Sequence, residues 1–401
     1  MNKEILPVKH FFLAIICLTL IAACNDDKDD KLQNHHPIAK IKDISNSLKV
    51  NQEILLDGTE SLDSDKQPLS YEWFLISKPL ISQISLSDKS KSLIRFVPDV
   101  SGEYIFNLVV SDGQLESNPA EIHIKIKDKK LVDLFIHAHP DDIELFMASS
   151  AYHAIKNNHE VIFILMTSGD GGLSKLISNR KESILYPDVR ILGHEAAVGY
   201  WAQSNAVIDK STLIDTHIVY KRTYEPNVAM YDLKFPDGGL KGQGYENTGF
   251  QSLEKLDNGT INSISTLDNN VYNGINDIHK TLADIINSHT VDADAITIHL
   301  PETNTFKNNG SHADHLITGK IVQDTVFNNF EKCVQLISYA DYQNGNMPKN
   351  MSPDDEIIHY KMFEVMTDKL VENGIAPRVK NTHLDMLGKQ YVTSDISANC
   401  K

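Results

Sequence analysis

The stretch LVDLFIHAHPDDIEL, residues 131–145, decides the fold of the longer part of this chain. It begins as an apolar run of strand length and ends on a histidine, a proline and two adjacent aspartates. A helical stretch and a second apolar run, EVIFILMTSGDGG at 160–172, follow. Continuous apolar strands that alternate with helices are typical of a mostly parallel sheet covered by helices on both faces.

The same alternation continues toward the end of the chain. Helical and strand-like segments alternate in GINDIHKTLADIINSH (274–289), DADAITIHL (292–300), HADHLITGKIVQDTVFNNF (312–330) and KCVQLISYA (332–340). We therefore predict an α/β domain over residues 131–401, with a mostly parallel sheet flanked by helices.

Residues 37–128 have a different texture, with short alternating strands separated by polar turns. This pattern predicts an all-β, immunoglobulin-like sandwich with Trp73 in its core. The segments LDGTESLDSD (56–65), YEWF (71–74) and FVPDVSGEYIFNLVVSDG (96–113) resemble the repeat of the polycystic kidney disease (PKD) type. Three aspartates of the first segment are turn carboxylates or calcium ligands: Asp57, Asp63 and Asp65.

Residues 1–23 have the features of a secretory signal, because lysines precede an apolar run that is shorter than the ~20 residues of a membrane span. The run ends in Ile-Ala-Ala-Cys, which resembles the lipobox of bacterial lipoproteins and predicts acylation of Cys24. Residues 24–36 would then form a flexible tether. This interpretation predicts a lipid-anchored protein of the cell envelope, at the outer membrane or cell surface. Ordinary cleavage beside an incidental cysteine is the alternative.

The overall charge excludes one class of partner. The chain has 54 acidic against 38 basic residues and a formal net charge of -16, with no basic stripe to neutralise phosphates. We therefore expect no nucleic-acid partner.

Of the four cysteines, Cys17 lies in the signal and Cys24 in the lipobox, which leaves Cys333 and Cys400. These two either pair in an oxidising compartment or stay as free thiols.

Polar residues follow two of the predicted strands. His139, Asp141 and Asp142 come after the first strand, and the segment GSHADH (310–315) follows the strand AITIHL. Ligands in open α/β sheets bind beyond the carboxyl ends of the strands, so these residues are expected to meet. We expect Ser311 to cap the second helix in a capping box with Asp314.

Two histidines and one carboxylate form the ligand set of several catalytic zinc sites, and His139, Asp142 and His315 supply it. The same set suits Fe²⁺. A bound zinc ion would lower the pKa of a water molecule to about 7. Asp141 would then be available to take the proton of that water.

These residues carry a resemblance to the LmbE-like or PIG-L family of zinc-dependent de-N-acetylases. AHPDDIEL (138–145) and HADH (312–315) match its two sequence blocks, and the resemblance extends over residues 131–345. It implies a Rossmann-like sheet, zinc ligands at His139, Asp142 and His315, and Asp141 as general base. His312 would stabilise the oxyanion, a contribution of roughly 10²–10³ in rate.

The chain also departs from the family pattern. Phe146-Met147-Ala148-Ser149-Ser150 replaces the usual small glycines, which changes either the packing or the substrate entrance beneath the metal. An arginine–glutamate pair often present in the family corresponds to Arg190 and Glu195, with Arg190 as a substrate contact.

Other polar residues near the predicted site have weaker assignments. Asp237, within FPDGGLKGQG (235–244), is either a ligand of a sugar hydroxyl or a turn aspartate. Asp314 either orients His312 or serves the helix cap. His137 is expected to be a packed core histidine, and His299 is expected to pack in the core or at the rim of the pocket.

The sequence therefore predicts a metal-dependent hydrolase that removes an N-acetyl group from an N-acetylglucosamine-type sugar or glycoconjugate. Two alternatives use the same pocket. One is a surface-anchored glycan-binding protein without turnover, and the other is a zinc amidase or esterase that acts on a non-sugar substrate. The presence of Asp141 beside the ligands favours an enzyme, because a binding protein needs no base.

Overall fold

The computed structural model describes residues 33–44, 47–173, 176–177, 184–205, 207–224, 226–376 and 381–400. The predicted signal and Cys24 lie outside these ranges. The chain divides into two compact units between Asp128 and Lys129. Within the described ranges, no helix has both the length and the apolar character that crossing a membrane requires.

The first unit is a small β-sandwich. Its strands are β1 Leu48–Lys49, β2 Ile54–Asp57, β3 Ser70–Ser77, β4 Leu93–Phe96, β5 Gly102–Ser111 and β6 Ala120–Lys127. They form a four-stranded sheet in the order β1-β6-β5-β3 and a two-stranded sheet of β2 and β4. Trp73 is fully buried between them, and its indole N–H donates to the Lys91 carbonyl (2.9 Å). The predicted sandwich and its core tryptophan are therefore confirmed.

Of the three aspartates singled out above, Asp57 and Asp63 each accept a hydrogen bond from the backbone amide two residues further along the chain. The Thr59 amide donates to Asp57 (2.9 Å), and the Asp65 amide donates to Asp63 (3.0 Å). Such short-range bonds are typical of aspartates that stabilise turns. Among the described residues, both groups with a geometry suited to a metal ion lie in the second unit.

The second unit is built on an eight-stranded sheet. Its strands are, in chain order, β7 Leu131–His137, β8 Glu160–Thr167, β11 Val207–Ile214, β12 His217–Tyr224, β13 Val228–Phe235, β16 Ala295–Pro301, β17 Val334–Tyr339 and β18 Val392–Ala398. Within the sheet they lie in the order β11-β12-β13-β8-β7-β16-β17-β18. The five central strands from β13 to β17 are parallel, and β11, β12 and β18 add antiparallel edges. Two short antiparallel pairs complete the strands: β9 Leu176–Ile177 with β10 Ile184–Leu185, and β14 Ile264–Ser265 with β15 Val271–Tyr272. The predicted α/β class is confirmed.

Helices cover both faces of this sheet. They are α1 Ala148–Lys156, α2 Tyr186–Ala202, α3 Leu253–Asp257, α4 Ile275–Thr290, α5 Ala313–Asn329, α6 Pro353–Glu372 and α7 Asn381–Leu384. A π-helical turn, Ile143–Met147, precedes α1, and short 3₁₀ turns occupy Glu246–Thr248 and Tyr342–Asn346.

The continuous apolar runs are explained by two hydrophobic cores, one on each side of the sheet. Leu134 and Ile164 pack into the core that includes α4 and α5, whereas Phe135 and Phe163 pack into the core that includes α1, α2 and α6. Successive residues of a strand point to opposite faces, so both sets must be apolar. Burial of each such side chain stabilises the fold by roughly 1.5–3 kcal/mol.

Cys333 and Cys400 form a disulfide in this structure. Cys333 immediately precedes β17, and Cys400 follows β18, the antiparallel strand at the sheet edge. The sequence had left this pairing open. The bond joins the last strand to its neighbour and closes a loop with a sequence separation of 67 residues.

Removal of this disulfide should destabilise the protein. In a Cys333→Ala/Cys400→Ala variant we expect the free energy of unfolding to fall by about 2–4 kcal/mol, because the unfolded chain gains conformational entropy. Urea unfolding of both proteins measures the difference, and a reductant should lower the stability of the wild type only. Equal unfolding midpoints would contradict a stabilising role for the bond.

Candidate metal centre

The chain turns sharply after β7, and Asp142 stabilises this turn. Its Oδ2 accepts the backbone N–H groups of Ala138 (2.9 Å) and His139 (2.8 Å). These two bonds hold the carboxylate against the end of the strand and leave Oδ1 directed at His139 and His315. The π-helical turn begins directly after Asp142, and such turns are frequent at functional sites.

His139 is oriented by an aspartate that was not in the predicted ligand set. Its Nε2 lies 3.2 Å from Asp314 Oδ2, so we assign the ring proton to Nε2 and a lone pair to Nδ1. The Gly238 amide also donates to this carboxylate (2.9 Å). Any larger residue at position 238 would displace the Asp314 carboxylate, because a Cβ atom there would lie 2.5 Å from Asp314 Oδ1.

His315 has a matching arrangement. Its Nδ1 lies 2.8 Å from Asp341 Oδ2, which assigns the proton to Nδ1 and leaves a lone pair on Nε2. That Nε2 atom lies 3.1 Å from Asp142 Oδ1 and 3.0 Å from His139 Nδ1. Two nitrogen lone pairs and one carboxylate oxygen therefore converge.

The spacing of these three atoms fits a metal ion. They are separated by 3.0, 3.1 and 3.7 Å. Atoms that each bond a tetrahedral zinc ion at about 2.0–2.1 Å lie about 3.3–3.4 Å apart. His139, Asp142 and His315 are all buried. The set suits zinc, and two imidazoles with one carboxylate also suit Fe²⁺.

The electrostatics of the pocket favour positive charge. Burial would lower the pKa of His139, but the nearby carboxylates of Asp142 and Asp314 outweigh burial and raise it to about 9. The pKa of His315 is likewise raised, since the charges of Asp142 and Asp341 overcome burial. Burial would raise the pKa of Asp142, but the two histidines hold it far below the usual range. The same carboxylate charges would attract a divalent cation, which would replace the protons on His139 Nδ1 and His315 Nε2 and leave both rings neutral.

A second buried group, His139, Asp237, His312 and Asp314, also brings possible ligand atoms within 4.8 Å of one another. Its hydrogen bonds argue against a second cation. His312 Nδ1 accepts the Asp314 amide N–H (3.1 Å), so a neutral His312 ring carries its proton at Nε2. His139 also directs an N–H at this group. We therefore assign these residues to a hydrogen-bond network beside the metal pocket.

His312 is placed to donate a proton in a hydrogen bond. Burial and the charge of His139 lower its pKa to about 4, so the ring is neutral near pH 7. Its Nε2 lies 3.7 Å from Asp237 Oδ1. Asp237 also accepts the amide N–H groups of Gly239 (2.8 Å) and Gly171 (3.2 Å). Asp237 thus belongs to the site's own network, and contact with a sugar hydroxyl stays a prediction.

The predicted capping box at α5 is wrong. The helix begins at Ala313, and the residue that caps it is His312, whose ring accepts the Asp314 amide. Ser311 instead donates through its hydroxyl to Asp341. Asp314 was predicted either to orient His312 or to cap the helix. Its carboxylate instead contacts His139 and the Gly238 amide.

Arg190 and Glu195 do not form a pair. Both lie on α2, but five residues of an α-helix rotate the chain by about 140°, so the two side chains leave in different directions. Arg190 is buried and donates to the Asp141 carboxylate and to the Gly169 carbonyl. Glu195 pairs with Arg222 (2.5 Å). Arg190 thus orients the proposed base, and its contact with substrate stays a prediction.

Phe146, one of the bulky residues after the first motif, packs beside the metal pocket. The Phe146 ring is buried and lies against the His315 ring, with centroids 5.9 Å apart, and against Tyr342.

His137 and His299 are core histidines, as expected. Burial lowers the pKa of His137 to about 3. His299 stacks on Phe135 with ring centroids 4.0 Å apart.

Sequence reasoning missed Asp341 entirely. A signal was present, because Asp341 follows the apolar run KCVQLISYA at the carboxyl end of a predicted strand. This is the same position, relative to its strand, that His139 has relative to β7. The rule that ligands bind at strand ends applied to Asp341 as well.

Comparison with solved structures gives several matches at low identity. The N,N'-diacetylchitobiose deacetylase from Pyrococcus horikoshii is 16% identical over 61% of this chain and 71% of that chain, with a TM-score of 0.34. The A40926 pseudoaglycone deacetylase Dbv21 is 12% identical over 63% and 87%, with a TM-score of 0.36. A nucleoside hydrolase-related protein from Saccharophagus degradans is 20% identical over 23% of this chain, with a TM-score of 0.20. This chain spans only 26% of that last structure.

No curated protein matches the chain. Two family models do match it. A model of the PKD domain matches residues 44–126, and the family described as GlcNAc-PI de-N-acetylase (PIG-L) matches residues 134–326. The second match contains His139, Asp142 and His315, the three residues that form the metal pocket. The chain therefore carries a PIG-L de-N-acetylase domain, preceded by a PKD domain.

Proposed function

We propose that this protein is a metal-dependent hydrolase that removes the N-acetyl group from an N-acetylglucosamine-type sugar or glycoconjugate. The observation that carries the proposal is the convergence of His139 Nδ1, His315 Nε2 and Asp142 Oδ1, with a further carboxylate, Asp141, next in sequence. The match to GlcNAc-PI de-N-acetylases supports the reaction and the sugar.

His139, Asp142 and His315 would hold the metal, as zinc or as Fe²⁺. A divalent cation bound there supplies Lewis-acid chemistry, since it polarises a carbonyl group and makes a water molecule more acidic. Asp314 and Asp341 keep the two histidines in the tautomers that binding requires.

The protein's own residues would then move the protons of the reaction. Asp141 takes a proton from water while the water oxygen forms a bond to the acetyl carbonyl carbon. The carbonyl oxygen gains negative charge and accepts the Nε2–H of His312. The carbon–nitrogen bond then breaks, and the proton held by Asp141 passes to the leaving nitrogen. The products are acetate and a free amine.

Asp141→Asn tests the proposed base. Asparagine keeps an oxygen that Arg190 can bind but cannot accept the proton, so we expect acetate release to fall about 10²–10⁴-fold. Metal content, measured by mass spectrometry of the purified protein, should stay at one ion per chain. The assay follows acetate release from N-acetylglucosamine conjugates by the protein from residue 25 onward.

The remaining outcomes separate the alternatives. His139→Ala is the matched control, because it should lose both metal and activity. Wild-type protein that binds metal and glycan but releases no acetate would indicate a glycan-binding protein. Hydrolysis of simple amides or esters alone would indicate a non-sugar substrate. Wild-type protein without metal would contradict the proposed centre.

We further propose that the protein acts at the cell envelope, held by a lipid on Cys24. The support is the lipobox-like ending of the apolar segment at residues 11–23. Several acyl chains would anchor the protein stably, since each buried CH₂ contributes roughly 0.8 kcal/mol.

The Cys24→Ala variant of the full chain should lose incorporation of radiolabelled palmitate in a bacterial host and leave the membrane fraction. Cys17→Ala is the matched control, because Cys17 lies within the predicted signal, and this variant should be labelled like the wild type. Equal labelling of Cys24→Ala and wild type would contradict the anchor.

A further inference from the structure

We propose that Asp341 is a positioning residue that sets the affinity of the metal centre and fixes the loop that carries His312. The inference rests on the proposed metal site. Asp341 lies two residues beyond the end of β17 and is buried. It belongs to neither of the two sequence motifs and lies outside the matched PIG-L segment at 134–326.

One oxygen of Asp341 accepts three hydrogen bonds. His315 donates through Nδ1 (2.8 Å), Asn308 through its side-chain amide (2.7 Å) and Ser311 through its hydroxyl. The backbone N–H of Asp341 in turn donates to the Asn308 side-chain oxygen (3.0 Å). Because Asp341 and Asn308 bind each other in both directions, the carboxylate has little freedom to move.

The first of these bonds acts on the metal. A neutral imidazole has one N–H, and the Asp341 carboxylate keeps that proton on Nδ1 of His315. The lone pair of Nε2 therefore faces Asp142 and His139, where the ion would bind. A carboxylate partner also makes the imidazole a stronger electron donor. Without this bond, the other tautomer would direct an N–H at the metal.

The other bonds act on the loop between β16 and α5. Asn308 is fully buried and also donates to the Glu302 carbonyl (3.2 Å), at the start of the loop. Ser311 immediately precedes His312, the proposed oxyanion donor. One carboxylate thus orients a metal ligand and holds the segment that positions His312, so both depend on Asp341.

Two substitutions separate these effects. Asp341→Asn keeps an acceptor oxygen but removes the charge, whereas Asp341→Leu removes every acceptor. We measure the zinc dissociation constant of each purified variant by competition with a coloured chelator. The Leu variant should bind zinc about 10–100-fold more weakly than the wild type, and the Asn variant should lie between them.

Asp133→Asn is the matched control. Asp133 is a buried aspartate of β7 that accepts from two histidines, His159 (2.6 Å) and His299 (2.9 Å), neither of which is a proposed ligand. Its loss should lower stability without changing the zinc dissociation constant.

The cobalt-substituted protein gives a second readout, because altered coordination at His315 should change the visible absorption of Asp341→Asn but not of Asp133→Asn.

The outcomes are distinct. A folded Asp341→Leu variant with a zinc dissociation constant within about twofold of the wild type would overturn the inference and leave the metal centre intact. If that variant does not fold, the zinc affinity and cobalt spectrum of Asp341→Asn decide, and wild-type values for both would overturn it. A wild type that binds no zinc or cobalt would instead overturn the proposed function.

Discussion

Two buried carboxylate–imidazole hydrogen bonds determine which nitrogen each proposed histidine ligand presents. Asp314 holds the proton of His139 on Nε2, and Asp341 holds that of His315 on Nδ1. A neutral imidazole can bind a metal only through its unprotonated nitrogen. The convergence of three ligand atoms therefore depends on two aspartates that would not touch the ion.

The fold makes this arrangement possible. Isolated buried charges cost several kcal/mol each unless partners and hydrogen bonds surround them. Here three neighbouring parallel strands, β7, β16 and β17, bring the donors and acceptors together beyond their carboxyl ends. The apolar cores on both faces supply the stability that holds them, and the disulfide beside β17 secures the neighbouring edge strand.

The fold and the candidate ligands could be predicted because both leave short-range patterns. Continuous apolar runs follow from strands buried on two faces, and the blocks at 138–145 and 312–315 keep fixed spacings. Contacts between distant segments leave no such pattern. Asp341 meets His315 across 26 residues, and Asp141 meets Arg190 across 49. The cap of α5 was misassigned because a histidine ring, and not the Ser311 hydroxyl, accepts the Asp314 amide.

Anomalous scattering at the zinc edge, from crystals of the protein grown with zinc, tests the assignment of the metal pocket most directly. We expect one peak, about 2.0–2.2 Å from His139 Nδ1, His315 Nε2 and Asp142 Oδ1, with the contacts to Asp314 and Asp341 retained. A peak bonded to His139 Nε2 among His312, Asp237 and Asp314, or no peak at either position, would contradict the assignment.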